Sequence, residues 1–155
     1  MRIGTFINKL MSFEESAQMK ANQVIFEDRD FIEGEIRERL SDGTTSEGTE
    51  IANELSSGPR DGAYSKRRAK ERRAEGLQTN HIDLKDTGKL YSKIKYKKTA
   101  KGGEVSVTDD KDKVSKLENF FGGPDLLWGL TDEQAQFVAD RNAQEIADKI
   151  AKLIV

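Results

Sequence analysis

Cysteine is absent from this 155-residue chain, and histidine occurs once, as His81. Disulfide frameworks and thiol catalysis are therefore excluded, as is a zinc site built from cysteine and histidine. Long apolar runs are missing too. Nothing approaches the ~18 residues of a membrane span, and residues 1–10 carry no apolar core of signal-peptide length. The expected address is a cytoplasm or an assembly made there. Hydrophobic side chains are scarce, at 35% of residues, and charged ones make up another 35%. Globular chains average about 45–50% apolar, counting glycine, and about 25% charged. At roughly 100–200 residues per domain, the expectation is one domain with a modest core and long solvated or partner-contacting segments.

The formal net charge is only −2, yet it is unevenly spread. Residues 1–59 hold 6 basic and 12 acidic side chains, residues 60–101 hold 14 and 5, and residues 102–155 hold 6 and 11. Such an acidic, basic, acidic order points to partners and says little about fold.

Hydrophobic periodicity organises the chain. Ile3, Phe6/Ile7, Leu10, Phe13 and Ala17 recur at helical steps, with Thr5 as candidate N-cap. The pattern loosens from Asn22 to Asp30. Ile32, Ile36 and Leu40 then mark a second helix, with Glu35 and Arg39 spaced for an i,i+4 pair and Ser41-Asp42-Gly43 as its end. Residues 42–80 are turn-rich and, from 56 to 76, nearly devoid of large apolar side chains apart from Tyr64. They read as an extended basic arm, functional or ordered on a partner, with a short exposed helix over 63–75. Ile82 and Leu84 alternate. Leu90, Ser92, Ile94 and Tyr96 continue with period two, predicting a strand from Lys89 to Thr99. Ala100-Lys101-Gly102-Gly103 signals a hairpin turn and Glu104–Thr108 the return strand. A short helix over Lys111–Phe121 follows, stopped by Gly122-Gly123-Pro124. Thr131 and Gln134 form a capping box that opens a terminal helix with the stripe Ala135, Val138/Ala139, Ala143, Ile146, Ile150 and Leu153/Ile154.

Six of the eight residues from 66 to 73 are basic: Lys66, Arg67, Arg68, Lys70, Arg72 and Arg73. They could contact phosphates, or dock on an acidic protein surface such as the acidic flanks of a neighbouring copy. With Tyr64 as the lone nearby aromatic, a stacking platform for single strands is not supported. Asp109-Asp110-Lys111-Asp112 resembles a fragment of a calcium loop but lacks its glycine and its terminal glutamate, so turn chemistry accounts for it better. His81 has no triad spacing and reads as an exposed or capping side chain. No constellation of catalytic residues is present, and no cofactor is implied.

The order of the pieces is more telling than any one of them. Leu84, Thr87, Gly88, Leu90 and Ile94 form a "leu-x-x-Thr-Gly-x-leu" block entering a strand. Phe121-Gly122 closes a short segment, and Gly129-Leu130-Thr131-Asp132-Glu133 opens the last helix. Over residues 62–155 this arrangement resembles the virion-morphogenesis and tail-completion proteins of tailed bacteriophages. The chain departs from their pattern at Ser92, one place early, at Pro124-Asp125, where an arginine is usual, and in a longer 43–62 region. The resemblance implies an assembly protein without catalysis: a homo-oligomeric ring at the head–tail junction, joined to portal, connector or tail proteins, in a virion assembled in the host cytoplasm. Thr87, Gly88, Leu90, Gly122 and Thr131 would be structural motif residues, Gly88 supplying a tight turn that can take positive φ.

The resulting expectation is an α+β domain spanning 1–155. N-terminal helices (1–41) and the C-terminal helix pack on a small antiparallel sheet, the arm (42–80) projects, and 81–155 supplies the strand pair and the last helices. The arm's six basic residues would bind a neighbouring subunit, another ring or the DNA path. The rival reading is a nucleic-acid-binding module using 66–73 and the strand face of Lys93, Lys95 and Lys97.

Overall fold

The computed structural model describes residues 3–51, 58–99 and 102–154, with side chains from residue 8 onward. Helix α1 spans Ile3–Glu27 and α2 spans Arg29–Ser41. The loosened pattern around 22–30 is a one-residue elbow at Asp28, and the Val24-Ile25-Phe26 run is helical. Thr5 lies inside α1, so it is not the N-cap. The Asp28 carboxylate accepts hydrogen bonds from Arg141 and Asn142, both at 3.0 Å, which fastens the elbow to the last helix.

The stripe predicted for α2 is buried as expected: Ile32, Ile36 and Leu40 sit in the core. The predicted Glu35–Arg39 pair does not form. Arg39 turns inward and donates to the carbonyls of Thr44 (2.5 Å), Leu127 (2.6 Å) and Gly129 (2.9 Å), while Glu35 accepts from Gln134. Burial pushes the Arg39 pKa down to about 10, so the guanidinium stays charged at neutral pH. After α2, Gly43 adopts φ +74, where a Cβ would sit 2.6 Å from the His81 ring. His81 Nε2 donates to the Ser41 carbonyl (2.7 Å), which places the lone histidine at the C-terminal end of α2 as a cap.

The predicted arm does not project as one piece. Residues 43–51 fold back: the Ile51 amide donates to Gly43 O (2.7 Å), Ser46 bonds the carbonyls of Leu126 and Asp125, and Ile51 is in the core. Residues 52–57 lie outside the described part. From Arg60 the chain forms a two-stranded ribbon, β1 (Arg60–Asp61) and β2 (Tyr64–Ser65), then helix α3 (Lys66–Ala74). The ribbon turn needs glycine. Gly62 has φ +67, and a Cβ there would lie 2.1 Å from the Thr79 carbonyl oxygen.

Ile82 and Leu84 are not in a strand; Leu84 has φ +53. The predicted strand 89–99 also starts later. Gly88, at φ +75, turns the chain into one helical turn, α4 (Lys89–Ser92), and β3 covers only Ile94–Thr99. Period two continued through α4 because Leu90 and Ile94 are both buried, four residues apart, which a helical turn satisfies as well as a strand does. Strand β4 (Gly102–Val107) returns antiparallel, with Ile94 opposite Val107 and Thr99 opposite Gly102. The Tyr96 hydroxyl occupies the space over Gly103, where a side chain would collide with it. Residues 100 and 101 of the turn lie outside the described part.

Helix α5 (Lys111–Phe120) is capped by Asp110, whose carboxylate accepts from the Lys113 amide (3.0 Å). Helix α6 (Pro124–Trp128) buries Leu127 and Trp128. Helix α7 (Asp132–Ala151) begins with the predicted capping box: Thr131 Oγ1 accepts from Gln134 N, and Gln134 Oε1 accepts from Thr131 N. Its inner face is rotated from the predicted stripe. Val138 and Asn142 are buried, whereas Ala135, Ala139 and Ala143 are exposed.

The architecture is α+β, with N-terminal helices and a C-terminal helix around two small antiparallel ribbons. Helix α1 packs on α7 and on the β3–β4 hairpin, and α2 packs on β3. The buried cluster runs from Ile32, Ile36 and Leu40 through Ile51, Ile82, Leu90 and Ile94 to Val114, Leu127, Trp128 and Val138. Glu33 latches α2 to the hairpin. It accepts from the Tyr96 amide (3.1 Å), Lys95 (3.1 Å) and Arg37 (2.7 Å). Burial opposes its charge, but these donors hold its pKa below the ordinary glutamate value. No helix among the described residues is long and apolar enough to cross a membrane.

Candidate functional site

Helix α3 carries the six basic residues singled out in the sequence. Lysine, arginine and alanine favour helix, and Ser65 caps the start by accepting from the Arg68 amide (3.4 Å). Ala69 and Arg72, three apart, form the buried face. Arg72 is only 2% exposed. Its guanidinium meets both Asp83 carboxylate oxygens at 2.9 Å, donates to the carbonyls of Gln78 (2.8 Å) and Lys85 (2.5 Å), and lies 4.4 Å from the centre of the Tyr64 ring. Asp83 also accepts from Gln78 Nε2 (2.8 Å), the Lys85 amide (2.9 Å) and the Tyr64 hydroxyl (3.2 Å). The Tyr91 hydroxyl donates to the Asp83 carbonyl. Burial pushes the Tyr64 and Tyr91 phenols upward, which keeps both as neutral donors.

This corrects the reading of Arg72 as a partner contact, because its charge is consumed inside the fold. Three other arginines are also engaged. Arg73 makes a bidentate pair with Asp61 (2.5 and 2.6 Å), Arg68 pairs with Asp86 (2.6 Å) and Glu71 (3.3 Å), and Arg67 pairs with Glu71 (3.0 Å). The Arg73 hydrogen bonds hold the Asp61 pKa low, and Arg67 and Arg68 do the same for Glu71. Lys66 and Lys70 are exposed and have no ion pair among the described residues. The local charge of α3 is thus much smaller than its sequence suggests.

Beside α3 lies a cleft of about 670 Å³. Its apolar floor is made by Ile82, Leu84 and Leu90 on one side and by Leu117 and Phe120 of α5 with Phe121 just after it on the other. Arg68, Lys85, Lys113 and Lys116 stand on the rim with Asp86, Asp110 and Asp112. Thr87, Gly88 and Leu90 line the same cleft, so the block entering α4 shapes its wall. Gly122 and Thr131 do not reach it. Gly122, at φ +92, packs against Leu126 and joins α5 to α6, and Thr131 caps α7.

The cleft was not foreseen from sequence. Phe120 and Phe121 read as fold-forming, yet both are only partly buried, with ring centres 4.6 Å apart. Neighbouring side chains on a helix point about 100° apart, and that was the available signal: Phe121 packs against the core cluster, while Phe120 is turned away from it toward the cleft. Asp109 and Asp110 do turn chemistry, as expected: Asp109 accepts from the Asp110 amide and from Lys113. Among the described residues no group of histidine, aspartate and glutamate is placed to hold a metal ion. The arrangement can bind an apolar surface with charged edges.

The chain matches no family model, no curated protein and no solved structure.

A second surface lies on α1, outside the residues that line the cleft. Residues 8–15 of α1 are all exposed, with Leu10 at 51%, Met11 at 56% and Phe13 at 36%. On a helical wheel Leu10, Phe13, Ala17, Ala21 and Val24 share one face. That face is sealed at Val24, which is 1% exposed, and open at Leu10 and Phe13.

Proposed function

We propose that this chain is a structural subunit of a tailed-bacteriophage virion, assembling into a homo-oligomeric ring at the head–tail junction that joins portal or connector to tail. The exposed apolar side chains of Leu10, Met11 and Phe13 on α1 carry the reading. A helix exposing leucine, methionine and phenylalanine on a face continuous with its own core is an interface awaiting a partner, and ring neighbours supply one at every subunit. The ordered blocks at 84–94, 121–122 and 129–133 support the phage assignment through their resemblance to tail-completion proteins. The thin core fits a subunit whose stability is completed by its neighbours.

The nucleic-acid reading has less support, because Arg67, Arg68, Arg72 and Arg73 are already paired with carboxylates of the same chain. Contact with packaged DNA would fall to Lys66, Lys70, Lys93 at the end of α4 and the hairpin lysine Lys97.

Sedimentation velocity and native mass spectrometry of the purified chain test the proposal. The expected result is a discrete closed oligomer, seen as rings by electron microscopy. A chain that stays monomeric at every concentration, or that binds random duplex tightly with steep salt dependence as a monomer, overturns it.

A further inference from the structure

We infer that the ring contact is head to tail: the exposed 8–15 stretch of α1 of one copy seats in the cleft between the 82–90 segment and α5 of the next. This rests on the ring reading and names the two surfaces that would build it. The two surfaces are matched in kind. The helix offers Leu10 and Phe13 at i and i+3, the spacing by which an amphipathic helix anchors in an apolar groove. The cleft offers an apolar floor and about 670 Å³, within the roughly 300–1,000 Å³ typical of binding clefts.

Charge complementarity identifies a second copy as the occupant. Glu14, which flanks the Leu10 and Phe13 face, is exposed and has no ion pair among the described residues; Lys85 and Lys116 on the rim are in the same condition. The rim carboxylates Asp86 and Asp110 are engaged by Arg68 and the Lys113 amide, which leaves Asp112 open to Lys9 of the incoming helix. Within one subunit the surfaces stay apart, since α1 packs on α7, α2 and the β3–β4 hairpin while the cleft belongs to α3, α5 and the segment between them. Two different patches on one chain make a heterologous contact, which closes into a ring when the rotation allows.

Complementation tests it. One variant damages the helix (Leu10→Asp with Phe13→Asp) and another the cleft rim (Lys85→Glu with Lys116→Glu). All four positions except Phe13 are well exposed, and Phe13 is 36% exposed, so both variants should melt like the parent. Each alone should be monomeric. Mixed one to one, they should form a heterodimer and nothing larger, because only one intact junction remains. Glu14→Lys, on the flank of the seated face, should restore assembly to the rim variant, whereas Glu15→Lys, on the opposite face of the helix, should not. As the chain has no cysteine, Leu10→Cys with Leu117→Cys gives an independent readout: oxidation should produce a ladder of linked subunits. If the parent forms rings but the rim variant also does, or the mixture stays monomeric, the head-to-tail pairing is wrong and the ring stands. If the parent never assembles, both fall.

Discussion

Arg72 shows how far a single residue can depart from the company it keeps in sequence. It sits in a run of six cations, and composition assigns all six to the solvent. The helical spacing with Ala69 turns it inward, and Asp83 receives it on both oxygens. Both partners are buried, so removing either leaves an uncompensated charge in a poorly polarisable surrounding, at a cost of about 3–5 kcal/mol. Arg72→Ala and Asp83→Ala are each expected to lower stability by that order in urea unfolding. The double variant should cost less than the two separate losses added together, because the pair is lost as a unit. Equal and additive losses would show that the pair is not coupled. The same network sets the cleft wall, since Asp83 anchors the segment that carries Leu84 and Thr87.

At the scale of elements, the bond between α2 and the hairpin depends on one carboxylate. Glu33 gathers the Tyr96 amide, Lys95 and Arg37, while Arg37 donates onward to the carbonyls of Tyr91 (2.9 Å) and Ile94 (3.2 Å). Its folded pKa lies below the ordinary value of 4.5. The linkage contribution is therefore fully present above pH 4.5 and is lost as the pH falls through the lower folded value. Glu33→Gln should melt below the parent at neutral pH, with the gap narrowing in acid. A gap that is flat down to strongly acidic pH would show that ionisation of Glu33 does not hold the latch. Elements set by local chemistry were legible in sequence: the α2 stripe, the Thr131 capping box, and the hairpin around residues 94–107. The α4 turn was not, because a left-handed Gly88 redirects the chain without disturbing the period-two pattern. Arg39 was misplaced for a related reason: its partners are backbone carbonyls 88 and 90 residues away, and no side-chain pattern encodes them. The cleft was hidden similarly, since its two walls are apolar residues that any core would also use.

For the whole molecule, the question is where the fold ends and the assembly begins, and α1 contains that boundary. Its apolar face is one continuous stripe in sequence, yet Val24 is sealed against the core while Leu10 and Phe13 are open. If the open stretch exists for a neighbour, making it polar should leave the isolated fold almost untouched. Leu10→Gln with Phe13→Gln is expected to shift unfolding free energy by only about 0.5 kcal/mol per site, the usual range for surface changes. Val24→Ala, on the same face two turns or more further along, removes two buried methyl groups and should cost about 1.5–2.5 kcal/mol from transfer at ~0.8 kcal/mol per carbon plus the cavity left behind. Both should be measured on monomer, under conditions where the parent does not assemble. Assembly should then report the reverse order: abolished by the glutamine pair and retained by Val24→Ala wherever that variant is folded. Equal stability losses at both ends would make the whole stripe part of the domain core, and the exposed stretch of α1 would no longer argue for a partner.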